Sequence, residues 1–238
     1  MTSINFRSLG KFSSLSELPK TFPKGNEAFF AIGKNDVFEG ISLPAEEQKR
    51  ADSISSLETR LLFLAGRRLL RGILSQWLPK DPAKITLEVT ETGKPFLPEH
   101  KELAFSLSHS GAFVVAAFSL LEVGVDLELE RPVETKALAK RFFSPEEASA
   151  FELEIALDQK QDHFFRLWTC REAAIKADGR GLSALLRSTR VIGEKGESLR
   201  VEIGETSWEA FPWQLSGGYH GAIALNRRPS LISWCDLC

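Results

Sequence analysis

Apolar residues recur every three to five positions through Leu57, Leu61, Leu64, Leu69, Ile73 and Trp77, the period of a helix with one buried face. Pro79 and the Asp81-Pro82 pair end that pattern, and Pro44 opens a helical stretch ahead of it. Ser144-Pro145-Glu146-Glu147 sets a capping hydroxyl before a proline and two acids, which predicts another helix start. A further helix is predicted from about His163 to Ala177, stopped by Asp178-Gly179. Period-two alternation marks strands at Ile85–Thr90, Phe105–Ser108 and Val123–Leu129, and Val114–Phe118 is apolar and partly β-branched. The three strand segments between Leu103 and Glu130 read as one antiparallel meander. Residues 1–43 suggest a strand around Phe29-Phe30-Ala31-Ile32 and loops, and short strands with Gly-rich turns follow Val191. Helices interleaved with antiparallel strands predict an α+β fold. A boundary is expected near residues 98–104, giving halves of 1–102 and 103–238.

A chain of 238 residues has room for one large or two small domains and for a core without disulfide staples. Thirty Lys and Arg against 32 Asp and Glu give a net charge of −2. That excludes a globally basic nucleic-acid coat, so any polyanion site must be local. Cys170, Cys235 and Cys238 are too few for a disulfide framework, and the terminal Cys-x-x-Cys lacks the further ligands of a zinc site. Residues Met1–Gly10 lack a signal-peptide core, and the apolar run Ala112–Leu121 is far shorter than a membrane span. A cytoplasmic location is expected.

The candidate chemistry begins with Asp126 and Glu128. Two apart on a strand, they share one face, while Val125, Leu127 and Leu129 take the other. Same-face acids suit a hard cation such as Mg²⁺; the alternative is a solvated face. Glu172 and Lys176 lie four apart on the predicted helix, one turn after Trp168, either as site groups or as a surface ion pair. Ser108-His109-Ser110 is not a hydrolase dyad, because neighbours on a strand point to opposite faces. His109 at a strand end suits a phosphate or a structural role. Lys94 sits in a Gly-Lys-Pro turn, and Arg60, Arg67 and Arg71 run along one helix stripe. That stripe suits either phosphate or the wet side of the helix. Phe142-Phe143 are expected in the core, and Gly179-Arg180-Gly181 lacks the context of a dinucleotide loop.

Their order along the chain carries more than any one motif. Gly93-Lys94-Pro95, Phe105-Ser106-Leu107-Ser108-His109-Ser110, Gly124-Val125-Asp126-Leu127-Glu128 and Trp168-Thr169-Cys170-Arg171-Glu172-Ala173-Ala174-Ile175-Lys176, followed by Gly179 and Gly181-Leu182, resemble the 4′-phosphopantetheinyl transferases. The length is similar to that of their large, monomeric class, typified by the surfactin-synthetase activator. Arg141-Phe142-Phe143-Ser144 also fits that pattern. The resemblance implies a pseudo-dimer of two similar α+β halves. It implies transfer of phosphopantetheine from coenzyme A to a serine of an apo acyl or peptidyl carrier protein, with release of 3′,5′-ADP. Asp126, Glu128 and Glu172 would hold Mg²⁺, with Mn²⁺ as a substitute. Glu172 would take the serine proton and Lys176 would stabilise the departing ADP. Lys94, Ser108, His109 and Arg171 would contact coenzyme A, with Gly93 and Pro95 near the adenine. Carrier docking is implied near the helix after Phe143, with no role for nucleic acid or membrane.

Two departures from the family pattern stand out. Position 171 is Arg where many members carry Lys, and the 3′-phosphate ligands do not align cleanly. Lys49, Arg50 or the Arg60 stripe would have to serve. Two rival readings use the same acids: another Mg²⁺-dependent phosphoryl-transfer enzyme, and a non-catalytic carrier-binding homologue.

Overall fold

The computed structural model describes residues 5–36, 39–154, 156, 159–181, 185–195 and 198–237. Its strands are β1 (Asn5–Phe12), β2 (Glu27–Lys34), β3 (Glu88–Val89), β4 (Pro95–Phe96), β5 (Ala104–Ser110), β6 (Phe113–Ser119), β7 (Val123–Leu129), β8 (Thr189–Lys195), β9 (Ser198–Ile203), β10 (Thr206–Leu215), β11 (Tyr219–Leu225) and β12 (Leu231–Leu237). Its helices are α1 (Ala45–Asp52), α2 (Leu57–Trp77), α3 (Thr135–Phe142), α4 (Pro145–Glu154) and α5 (Lys160–Asp178). The chain folds into two compact units, and the expectation of an α+β fold is met in each. Of the described residues, one unit holds those within 5–90, 95–121 and 229–237, and the other those within 91–94 and 122–228.

The N-terminal unit is a five-stranded sheet in the order β1-β12-β2-β6-β5. β12 runs parallel to both of its neighbours, and the remaining pairs are antiparallel. Helix α2 covers the sheet. Ser56 caps it by accepting from the Thr59 N–H at 3.3 Å, and its Leu69, Leu70, Ile73 and Leu74 are fully buried against Phe29, Phe105 and Phe118. The predicted strand Ile85–Thr90 shrinks to β3, which forms a two-stranded hairpin with β4. The boundary read near residue 100 falls at the start of β5, inside this unit.

The C-terminal unit is a sheet in the order β7-β11-β10-β9-β8, all antiparallel. The expected β5-β6-β7 meander is therefore corrected: β5 and β6 pair with each other, but β7 begins the second sheet beside β11. Alternation marks a strand without naming its partner, so three successive strands need not share a sheet. The two units share one plan. In the first, β2 leads through α1 and α2 to β5 and β6, and β6 returns antiparallel beside β2; in the second, β7 leads through α3, α4 and α5 to later strands, and β11 returns antiparallel beside β7.

Helix α5 is laid on this second sheet at very close range. A Cβ on Gly124 would lie 2.0 Å from the Ala173 carbonyl oxygen and 2.4 Å from the Ala177 nitrogen. Only glycine allows the helix backbone to touch the strand there. The helix ends as expected, with Gly179 at φ +79° and its N–H donating to the Ile175 carbonyl at 3.0 Å. Helix α4 starts with a reciprocal cap: Glu147 N–H donates to Ser144 Oγ at 3.2 Å, and Ser144 N–H to Glu147 Oε2 at 3.0 Å. Phe143, Phe151, Phe164 and Phe165 pack into a small aromatic core. No helix among the described residues is long and apolar enough to cross a membrane.

Candidate active site

β7 delivers its acids to the face that α5 covers. Asp126 pairs with Ala222 and Glu128 with His220 of β11, and Ala222 belongs to the core packed against α5. Asp126 is buried, and its Oδ1 accepts from Lys176 Nζ at 2.7 Å. Glu172, one turn before Lys176, feels the charges of both Asp126 and Glu128. Its burial pushes the carboxyl up to about 8; the two neighbouring acids add to this, and Lys176 and the Trp168 side chain offset part. Glu128 is raised as well, first by burial and then by Asp126, against the pull of Arg131 and Lys176. Arg131 donates to Glu128 Oε2 at 3.1 Å. Phe142 and Phe164 fix Trp168, at centroid distances of 5.3 and 5.8 Å.

Three acidic groups beside one ammonium, whose full ionisation is opposed by burial and by their mutual repulsion, make a site that favours added positive charge. Among the described residues no three His, Cys, Asp or Glu side chains converge into a ready-made metal cage. Mg²⁺ does not require one, since it takes one or two carboxylates and completes its shell with water and phosphate. The all-oxygen donor set of Asp126, Glu128 and Glu172 fits that cation. It does not fit a soft metal.

The other expected site residues fall elsewhere. Lys94 Nζ donates to the Ala177 carbonyl at 2.7 Å and to Glu122 Oε2 at 2.8 Å, at the C-terminal turn of α5. Gly93, at φ +88°, makes the turn that carries it, and Thr92 bonds the Gly179 carbonyl. Pro95, Ser108 and His109 belong to the N-terminal unit. On β5, Ser108 is buried and His109 exposed, as alternation requires.

Arg171 is a correction. Expected at coenzyme A, it is instead fully buried, bonded to Glu147 and to the Thr189 carbonyl, with its guanidinium 4.3 Å from the Phe143 ring centre. One position before Glu172, it points about 100° away around α5 and ties α4 and β8 to the helix. The arginine stripe is also divided. Arg71 is buried and holds Glu47 together with the Pro82 and Ile85 carbonyls. Arg60 bonds the Ile54 carbonyl. Arg50 and Arg67 flank the Phe63 ring at 5.5 and 5.3 Å. Cys235 is buried in β12, and burial pushes its thiol up to about 12, so it is inert. Cys238 and Leu182 lie outside the described residues.

Sequence reasoning missed three neighbours. Glu147, which caps α4, also accepts from the Val191 N–H at 2.7 Å. Glu130 extends the Asp126-Glu128 alternation by one step and accepts from His220 Nε2 at 3.1 Å. Period two alone could have found Glu130. His220, on a distant strand, gave no such signal.

Comparison with known proteins gives the family. Residues 122–224 match the family model described as "4′-phosphopantetheinyl transferase superfamily", and residues 37–120 match "4′-phosphopantetheinyl transferase, N-terminal". The transferase psf-1 of Bacillus pumilus is 33% identical over 194 residues, covering 81% of this chain and 82% of its own. The transferase ffp of Bacillus subtilis is 32% identical over 185 residues, covering 77% and 82%. HetI of Nostoc is 40% identical over 151 residues, a match spanning 60% of this chain and 62% of HetI. By these matches the chain belongs to the 4′-phosphopantetheinyl transferase superfamily and transfers 4′-phosphopantetheine to carrier proteins.

Proposed function

We propose that Asp126, Glu128, Glu172 and Lys176 are the reacting centre of that transfer, with coenzyme A as donor, Mg²⁺ as the cation and a serine of an apo acyl or peptidyl carrier protein as acceptor. The observation that supports this best is the charge coupling of Glu172 to Asp126 and Glu128 beside Lys176. Bound there, Mg²⁺ would polarise the pyrophosphate and offset its developing charge. The three carboxylates would hold the ion and orient the donor. The serine oxygen attacks the phosphorus nearer pantetheine, a phosphodiester forms, and the bond to 3′,5′-ADP breaks. Glu172 takes the serine proton, directly or through water. Lys176, now facing a phosphate rather than Asp126 alone, stabilises the leaving group. Lys94, Gly93, Ser108, His109 and Pro95 are assigned to coenzyme A; Arg171 is not, because its guanidinium is enclosed. The protein acts as a monomer.

The test is the intact mass of apo carrier proteins after incubation with this protein and coenzyme A, with Mg²⁺ or with EDTA. A gain of one phosphopantetheine only in the presence of metal is expected. Transfer at full rate in EDTA would remove the metal role. Transfer by Asp126→Ala at the wild-type rate would remove the site.

A further inference from the structure

Glu147 and Arg171 have no part in the transfer as assigned above, yet their ion pair is enclosed. The Arg171 side chain is fully buried and that of Glu147 is 15% exposed. Each group is used more than once. Glu147 Oε2 accepts from the Ser144 N–H at 3.0 Å and holds the first turn of α4. Its Oε1 accepts from the Val191 N–H at 2.7 Å and from Arg171 Nη2. Arg171 Nη1 donates to the Thr189 carbonyl, and the guanidinium lies 4.3 Å from the Phe143 ring centre. Burial opposes the Arg171 charge, and the Glu147 carboxylate offsets part of that cost. β8 is the outer strand of its sheet. Thr189 and Val191 are two apart on it, so the carbonyl of one and the N–H of the other open to the same side. The pair meets both, with a donor for the carbonyl and an acceptor for the N–H, as a neighbouring strand would. Charge-assisted bonds thereby join α4, α5 and β8.

This joint bears on the reacting groups through a short lever. Arg171 directly precedes Glu172, and Lys176 follows five residues after Arg171 on the same helix. Gly124 fixes how near α5 lies to β7, but a backbone contact of that kind leaves the helix free to turn about its own axis. The core side of α5 resists such a turn weakly, because Ala173, Ala174 and Ala177 offer only short side chains to interlock. A hydrogen-bonded ion pair has direction and does resist it. Side chains end about 5–6 Å from a helix axis, so a turn of about 10° carries the end of Glu172 about 1 Å sideways. A misplacement of about 1 Å is enough to cost about a hundredfold in rate.

We propose that Glu147 and Arg171 are positioning residues for the transfer: their ion pair sets the rotation of α5, and through it the approach of Glu172 and Lys176 to Asp126 and Glu128. The proposal rests on the reading of the carboxylate site given above. It is tested by steady-state transfer from coenzyme A to an apo carrier protein with Mg²⁺ present, the rate being expressed per folded molecule. Wild type is compared with Glu147→Gln, Arg171→Lys and Asp126→Ala, and urea unfolding supplies each folded fraction. Glu147→Gln keeps the shape and an acceptor oxygen but removes the charge that Arg171 meets. Arg171→Lys keeps the charge but loses the fork that holds Glu147 and the Thr189 carbonyl together. In Glu147→Gln kcat should fall about tenfold or more, and in Arg171→Lys about threefold, while KM for coenzyme A stays within about twofold. If both variants lose only stability and keep the wild-type kcat per folded molecule, the pair is structural and the proposal is overturned. A raised KM with unchanged kcat also overturns it and returns Arg171 to the substrate. If Glu147→Gln does not fold, Arg171→Lys decides by the same measure. Asp126→Ala separates the two readings. A wild-type rate in that variant removes the carboxylate site and the role of the pair with it. A lost rate there, beside unaltered pair variants, removes the role of the pair alone.

Discussion

Glu172 holds a proton at neutral pH as long as no further cation stands between it and Asp126 and Glu128, because burial lifts its carboxyl to about 8. The unfolded chain gives up that proton near the ordinary value of 4.5. Between these limits the folded state binds more protons than the unfolded one, so metal-free stability must fall as pH rises. Thermal melts in EDTA should show Tm dropping from about pH 5 to about pH 8. Glu172→Gln should flatten that slope, and Mg²⁺ should restore Tm most at the alkaline end. Equal slopes for wild type and Glu172→Gln would place the titration elsewhere. Arg171 makes the opposite kind of prediction. Its removal leaves the Glu147 carboxylate without its guanidinium partner in a closed space, so Arg171→Ala should cost about 3–5 kcal/mol in denaturant unfolding. The folded fraction should bind coenzyme A with wild-type affinity. Loss of affinity without loss of stability would return Arg171 to the substrate. The spacing of Trp168, Glu172 and Lys176 was legible because one helical face fixes it. The direction of Arg171 was not, since a cation in a family motif reads alike whether it meets a phosphate or a buried carboxylate.

Helix α5 and strand β7 bring the acids together, and Gly124 sets how closely. The atoms a Cβ would strike belong to the α5 backbone and cannot rotate away. Gly124→Ala should therefore destabilise the protein by about 3 kcal/mol and pull Asp126 off Lys176. Urea unfolding and carrier modification should fail together; a stable variant that has lost transfer would show that the helix tolerates the shift. Elements with local punctuation were legible: the Ser144 cap, the Gly179 stop and the α2 period all stand as expected. Strand β1 and helix α3 went unread. β1 spans Asn5–Phe12 and is held by β12 from the far end of the chain, a pairing no local window contains. α3 is eight residues long and gains its place by packing into the aromatic core near Phe143.

The two units are interleaved along the sequence, and β12 (Leu231–Leu237) completes the first sheet. β12 stands between β1 and β2, with Ile232, Cys235 and Leu237 buried. Deleting residues 229–238 should therefore unfold the N-terminal unit and detach β1, although the carboxylate site lies in the other unit. Amide exchange on the truncated chain should show protection lost in β2 and β6. Retained protection there would mean that β1 can pair with β2 directly. The sequence by itself determined the fold class and the main helices, and it set the short spacings of Asp126 with Glu128 and of Glu172 with Lys176, because these depend on local period, caps and neighbouring positions. Only the tertiary structure decided which strands share a sheet, that Arg171 turns inward, and that Glu130 and His220 meet across β7 and β11. Those outcomes are set by contacts between residues far apart in the chain, where many pairings fit one local pattern and only global packing selects among them.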